Sequence, residues 1–197
     1  MRDGSHIEGV IICYKSGELM PTIFAHAVAG VAIAQVLAPC SIKREMTWLA
    51  AACAILPDLD VIGFEFNLRY GSMFGHRGIT HSILFAGVLA LGAVAVLRRH
   101  TKSVELPRMW VCLFAATLSH GVLDSLTNGG MGVAFLAPFD DSRYFLPWAP
   151  IQVSPIGLSA FLSRRGAAVL ANEFQWIWCP SLVTIAVARL LRCRDVS

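Results

Sequence analysis

The sequence predicts an all-α protein, an integral membrane helical bundle of about five apolar helices with a metal site at one end. Three observations predict it. Of 197 residues, 56% are hydrophobic and only 15% charged, with a mean hydropathy of +0.62. Soluble domains carry roughly 25% charge, so most of this surface must face something other than water. Apolar stretches recur at lengths near the roughly 20 residues of a spanning helix. Finally, the histidines and acids beside those stretches fall at one set of helix ends, and ionisable groups at membrane depth are costly unless they pair or bind something.

Residues 1–19 are polar and poorly patterned and read as a mobile extension. Residues 20–197 contain no repeat, low-complexity tract or linker and read as a single membrane-embedded domain. The first apolar stretch, 21–38, opens on Met20-Pro21-Thr22, and it lacks the basic flank and small-x-small cleavage site of a signal peptide. The second, 46–56, is short and reads as a re-entrant helix, or as a span whose neighbours cover its ends. Stretches 79–97, 109–126 and 174–191 complete the set.

Basic residues follow the first stretch (Lys43, Arg44), occupy the turn between the third and fourth (Arg98, Arg99, Lys102, Arg108) and follow the last (Arg189, Arg192, Arg194). The positive-inside rule places these clusters in the cytoplasm. Alternating crossings then bring the opposite helix ends together on the non-cytoplasmic side. The net charge of +3, from 16 basic and 13 acidic residues, is too small and scattered for a nucleic-acid partner. The six cysteines show no Cys-x-x-Cys pair and read as buried thiols.

The residues that carry chemistry lie at those gathered ends. His120 and Asp124, four apart, share one helical face and can reach a common cation, although a mutually satisfied pair between helices explains them equally. His76 and His81 are five apart, about 140° in an unbroken helix, so convergence requires a break. Gly78 permits one, and Thr80 is the expected N-cap of the helix that follows. Asp58 and Asp60 end the second stretch, where carboxylates oppose the helix dipole and repel each other unless a cation lies beside them. His26 sits one turn into the first helix; alone it reads as a core histidine. Glu173 is a further candidate ligand, though an acid also suits a helix N-terminus as capping charge.

The segment 127–171 lies on the same side, and its proline- and aromatic-rich runs look like a rigid cover, with Tyr144, Phe145 and Trp148 suited to a membrane interface. Arg143 within it reads as a phosphate clamp or as a headgroup-level charge. Four imidazoles and three or four carboxylates form a set that suits zinc, manganese or iron, and are too many for one closed structural ion. A site of two or more metals activates water and steadies the oxyanions of an in-line displacement, which is the hydrolysis of a phosphoester or a related bond.

The strings His76-Arg77-Gly78-Ile79-Thr80-His81-Ser82, Leu56-Pro57-Asp58-Leu59-Asp60 and Ser119-His120-Gly121-Val122-Leu123-Asp124-Ser125-Leu126-Thr127, preceded by Phe24-Ala25-His26, closely resemble the YdjM-like family of membrane-bound, inner-membrane-associated metal-dependent hydrolases. The likeness runs from about Met20 to Ile156. Through the family it extends distantly to zinc-dependent phospholipase C and the zinc single-strand nucleases. It implies ligand roles for His26, Asp58, Asp60, His76, His81, His120 and Asp124, and zinc as the metal, with manganese as an alternative. Glu173 sits where the distant relatives use a later glutamate, without their flanking histidine. The resulting expectation is a multi-pass hydrolase that cleaves a phosphoester in a lipid, a lipid-linked or another small substrate. Asp58 or Asp60 would serve as general base or bridging ligand, and Arg143 as a clamp. The alternative is a non-catalytic, metal-stabilised membrane scaffold or regulatory protein with a closed site.

Overall fold

The computed structural model describes residues 18–99, 105–155 and 162–194. Residues 1–17 of the expected extension, with His6, and the turn holding His100 and Lys102 lie outside them. Among the described residues the regular structure is helical apart from one small antiparallel pair, β1 (Glu18–Met20) on β2 (Ser154–Pro155), which holds the last residues of the expected extension.

The first helix, α1 (Ile23–Leu37), starts at Thr22, whose hydroxyl accepts the Ala25 N–H, and stops at Ala38, held extended before Pro39. After a single 3-10 turn, Cys40–Ile42, α2 (Lys43–Ile55) runs straight into an eleven-residue 3-10 segment, Leu56–Phe66, that closes at left-handed Asn67. Such runs rarely exceed three or four residues. A second 3-10 turn, Ile79–His81, leads into α3 (Ile83–Leu97). The N-cap of α3 is Ser82, which accepts the Phe85 N–H at 3.1 Å, and not the expected Thr80. Thr80 is drawn away because its hydroxyl donates to Asp60 at 2.6 Å.

The longest single helix, α4 (Leu106–Ser125), carries Pro107 in its first turn, where the missing N–H costs nothing. The last helical segment begins ten residues before the expected start, because Ser163 caps it by accepting the Arg165 and Gly166 N–H groups. It comprises α5 (Arg164–Glu173), one wide π turn (Phe174–Trp178) and α6 (Cys179–Arg194). Pro180 cannot donate to the carbonyl four residues back, and the turn before it widens so that Cys179 N–H reaches Phe174 O.

Two of these helical stretches, Leu106–Ser125 and Arg164–Leu191, are long and apolar enough to cross a membrane. Helices α1 and α3, fifteen residues each, reach about 22 Å, short of a hydrocarbon core of about 30 Å. Helix α4 packs on α1, α2 and α3, and α6 packs on α1. At one end the seam is apolar and built from small residues, among them Ala34, Ala50, Ala90 and Ala116, with Met46, Met109 and Leu113 between. Large apolar side chains such as Trp48, Val88, Leu91 and Leu190 point outward, as on a surface that meets lipid. Cys53 and Cys112 are buried as expected; Cys40 and Cys179 are exposed, because both sit on outward-facing turns of helix starts.

Candidate metal centre

At the other end of the bundle the start of α1, the 3-10 segment after α2, the turn before α3 and the end of α4 meet, and a loop closes over them. Leu146 N–H donates to Ser125 O, Ile83 N–H to Phe135 O and Ala134 N–H to Arg77 O, so the 127–155 cover is stitched to the elements beneath it. Trp148 packs edge-on against Trp176, which ties the cover to the π turn.

Side chains from all four elements converge. Asp58, His81, His120 and Asp124 each offer one atom, and these atoms all lie within 4.8 Å of one another. His120 Nε2 is 3.2 Å from Asp58 Oδ1 and 3.0 Å from His81 Nε2, and His81 Nε2 is 3.2 Å from Asp124 Oδ2. His26 Nε2 lies 3.6 Å from Asp124 Oδ1, and its ring stacks on His120 with centroids 3.7 Å apart. Asp58 is 8% exposed; His26, His120 and Asp124 are fully buried.

Hydrogen bonds on the outer side of the His120, His76 and His81 rings decide which of their atoms face inward. His120 Nδ1 meets the Ala54 carbonyl at 2.7 Å. A carbonyl only accepts, so Nδ1 carries the proton and Nε2 presents a lone pair to the cluster. That carbonyl is open to His120 because Pro57, three residues on in the 3-10 segment, has no N–H to give it. On the far side of His81, Asp60 makes a second group with His76 and His81. Its Oδ1 meets His76 Nδ1 at 2.6 Å, and its Oδ2 accepts from Thr80 and from the Arg77 N–H. His81 Nδ1 lies 3.3 Å away. Asp58 and Asp60 serve different groups because residues two apart on a 3-10 helix diverge by about 120°.

The cluster could hold a cation. Among the described residues, both oxygens of Asp58 and of Asp124, both nitrogens of His26 and His76 Nε2 are buried without a directed hydrogen bond. Lone pairs of two carboxylates and of His120 point at one another, an arrangement that repels unless positive charge lies among them. His81 lies between the two acids, with Nε2 3.2 Å from Asp124 Oδ2 and Nδ1 3.3 Å from Asp60 Oδ2. Burial would raise the Asp60 carboxyl, yet hydrogen bonds from His76 and His81 hold it below the ordinary carboxylate range. The donor set, imidazoles and carboxylates with three of the four rings held from their outer sides, fits a divalent ion.

Two expected site residues are engaged elsewhere. Glu173 is buried and accepts from Thr22 N–H and, at 2.6 Å, from the Thr22 hydroxyl, so it braces the N-cap of α1 one turn before His26. It lies in the middle of the last helical segment and not at its mouth. The Arg143 guanidinium is spread over the carbonyls of Tyr70, Ser72, His76 and Gly132, which makes it a tie for the 70–76 loop.

Sequence reasoning missed Arg77. Its side chain is fully buried; Nε lies 3.1 Å from Asp124 Oδ2, and Nη1 donates to Gly129 O at 2.9 Å. Its backbone is left-handed, φ +60°, flanked by two glycines where a Cβ would lie 2.1 Å from Arg69 O (Gly75) and 2.2 Å from Met73 O (Gly78). A glycine would take Arg77's conformation without strain, so an arginine there is held for its side chain. The available signal was an arginine set between two glycines in the histidine string.

The model of the YdjM inner membrane protein family matches residues 20–193. The inner membrane protein YbcI of Escherichia coli (strain K12) is 39% identical over 168 residues, spanning 85% of this chain and 96% of the relative. No solved structure matches the chain. With nearly all of the helical region inside the family match, and with a relative this similar over almost its full length, the chain belongs to the YdjM inner membrane protein family.

Proposed function

We propose that this chain is a multi-pass inner-membrane hydrolase whose metal is held by His26, Asp58, His81, His120 and Asp124, and that it cleaves a phosphoester in a lipid or lipid-linked substrate. The observation that carries the reading is the inward-facing set of lone pairs on His120 Nε2, Asp58 and Asp124, buried with no directed donor among the described residues. A divalent ion bound there, zinc before manganese, supplies Lewis acidity and a water made nucleophilic near neutral pH. Asp60, His76, Thr80 and the Arg77 N–H form a frame that holds His81 in place. Asp58 is the better general base of the two acids, because Asp60 is committed to that frame while Asp58 retains a little exposure. Arg77 sets a positive charge against Asp124, with Nε 3.1 Å from Oδ2. Lys43, Arg44, Arg98, Arg99 and Arg108 stand at the helix ends opposite the site, which supports a site on the non-cytoplasmic side.

The near-complete burial of the cluster favours a second reading, a non-catalytic membrane scaffold stabilised by a closed metal site. Elemental mass spectrometry on detergent-purified protein, wild type beside His120→Ala, combined with hydrolysis of a fluorogenic phosphodiester, separates the two. Metal in the wild type, lost together with hydrolysis in the variant, supports the hydrolase. Metal without hydrolysis supports the scaffold, and folded wild type that never met a chelator yet holds no metal overturns both.

A further inference from the structure

A cavity of about 180 Å³ lies beside the metal centre. Its walls include Asn128, Gly129 and Gly130 just beyond the end of α4, Gln152 and Val153 from the returning end of the cover, and Arg165 from the first turn of α5. Every polar side chain on this lining bears N–H donors, and among the described residues no carboxylate lines it.

The wall is fixed in place by bonds that consume acceptors. Asn128 Oδ1 accepts the Val153 N–H at 3.2 Å, so the end of that side chain left to meet a ligand is its NH2. The Asn172 carboxamide accepts from Gln152 N–H at 2.8 Å and donates to Pro150 O at 3.0 Å, which anchors the Gln152 backbone and leaves its side chain for the cavity. Two glycines keep the floor low. At Gly130, φ +87°, a Cβ would lie 2.5 Å from Arg77 Nη1, and at Gly129 one would lie 3.1 Å from Val153. The floor is wired to the metal centre as well: Gly129 O accepts from the same Arg77 side chain that lies against Asp124.

We propose that this cavity binds the phosphate-bearing polar group of a ligand beside the metal centre. A pocket lined by a guanidinium, two carboxamides and loop glycines, with no acid, matches phosphate oxygens, which only accept. Two valines, Val153 and Val169, offer the attached alcohol an apolar contact. The proposal rests on the hydrolase reading only where it makes this ligand the substrate; the binding itself does not need turnover.

The test is calorimetric titration of the full chain in detergent with inorganic phosphate, glycerol 3-phosphate and phosphatidylglycerol in mixed micelles, with metal content measured on the same samples. Arg165→Gln and Gln152→Glu are compared with Arg164→Gln, which alters the neighbouring charge outside the cavity. Saturable binding that weakens at least tenfold in the first two variants, and less than twofold in Arg164→Gln, supports the proposal. Tighter binding of the two esters identifies a headgroup as the source, and equal binding identifies the free anion. No saturable binding of any probe, or equal loss in all three variants, overturns it. Arg165-dependent binding by metal-free wild type would sink the hydrolase reading and leave the cavity standing, whereas metal with Arg165-independent binding would do the reverse.

Discussion

The two ends of this bundle are made by the same four helices and obey opposite rules. At one end α1, α2, α3 and α4 meet through alanines and a few larger apolar side chains, and the polar groups there, such as Gln35 with Thr47 and Trp110 with Gly87 O, are paired in place. At the other they present four histidines and three aspartates, nearly all buried. The contrast shows how the second depends on the first. Helices in lipid gain no hydrophobic drive toward one another, and small residues bring their backbones close. Gly30, one turn beyond His26, marks the transition: a Cβ there would lie 2.7 Å from Ala50 O and 2.8 Å from Ala54 Cβ. That closeness carries α1 near enough to α2 and α4 for His26 to stack on His120.

The comparison can be broken most severely at its charged end. Asp124→Ala removes a proposed ligand and leaves the buried Arg77 without its carboxylate; the expected loss is about 3–5 kcal/mol, read by tryptophan-monitored unfolding in detergent, together with loss of whatever metal the wild type is found to bind. Acidification attacks the same end without a mutation. An imidazole that holds a metal must be without its proton, so if the proposed histidines coordinate, apparent metal affinity should fall as the pH drops from neutral to about 5.5, measured by chelator competition. The seam is broken by Gly30→Val, which should cost about 1–3 kcal/mol and, by prising α1 from α2, weaken metal retention while every ligand remains. Ser82→Ala removes the N-cap of α3 for about 1 kcal/mol, and thermal unfolding should register it. Glu105→Gln, in an exposed pair with Arg108 far from the site, should change stability by less than about 1 kcal/mol in the same assay.

Much of the fold was legible because apolar length and loop charge are one-dimensional signals. They locate four of the five apolar helices to within a few residues and put His26, Asp58, Asp60, His76, His81, His120 and Asp124 at one end. What failed depended on side-chain competition. Thr80 and Ser82 are both good N-caps by type, and Asp60's claim on the Thr80 hydroxyl, twenty residues away in sequence, decides between them. The start of the last helical segment was hidden because Arg164 and Arg165 interrupt the hydropathy while remaining good helix formers. Glu173 and Arg143 carry charge types that suit a site, and only three-dimensional placement reveals their partners, a threonine cap and a ring of carbonyls. Arg77 was invisible as a site neighbour because the left-handed turn that aims it is set by its glycine flanks.

The meeting of His120 with Ala54 has a consequence for how this sequence can vary. Pro57 acts by what it lacks: with no N–H to give the Ala54 carbonyl, it leaves that carbonyl one donor fewer beside His120 Nδ1. A residue with an N–H at that position would offer the same carbonyl a second donor, which weakens its hold on the imidazole. The two positions are therefore grammatically linked, and a library that randomises both should recover the proline whenever it keeps the histidine, although the two side chains need never touch.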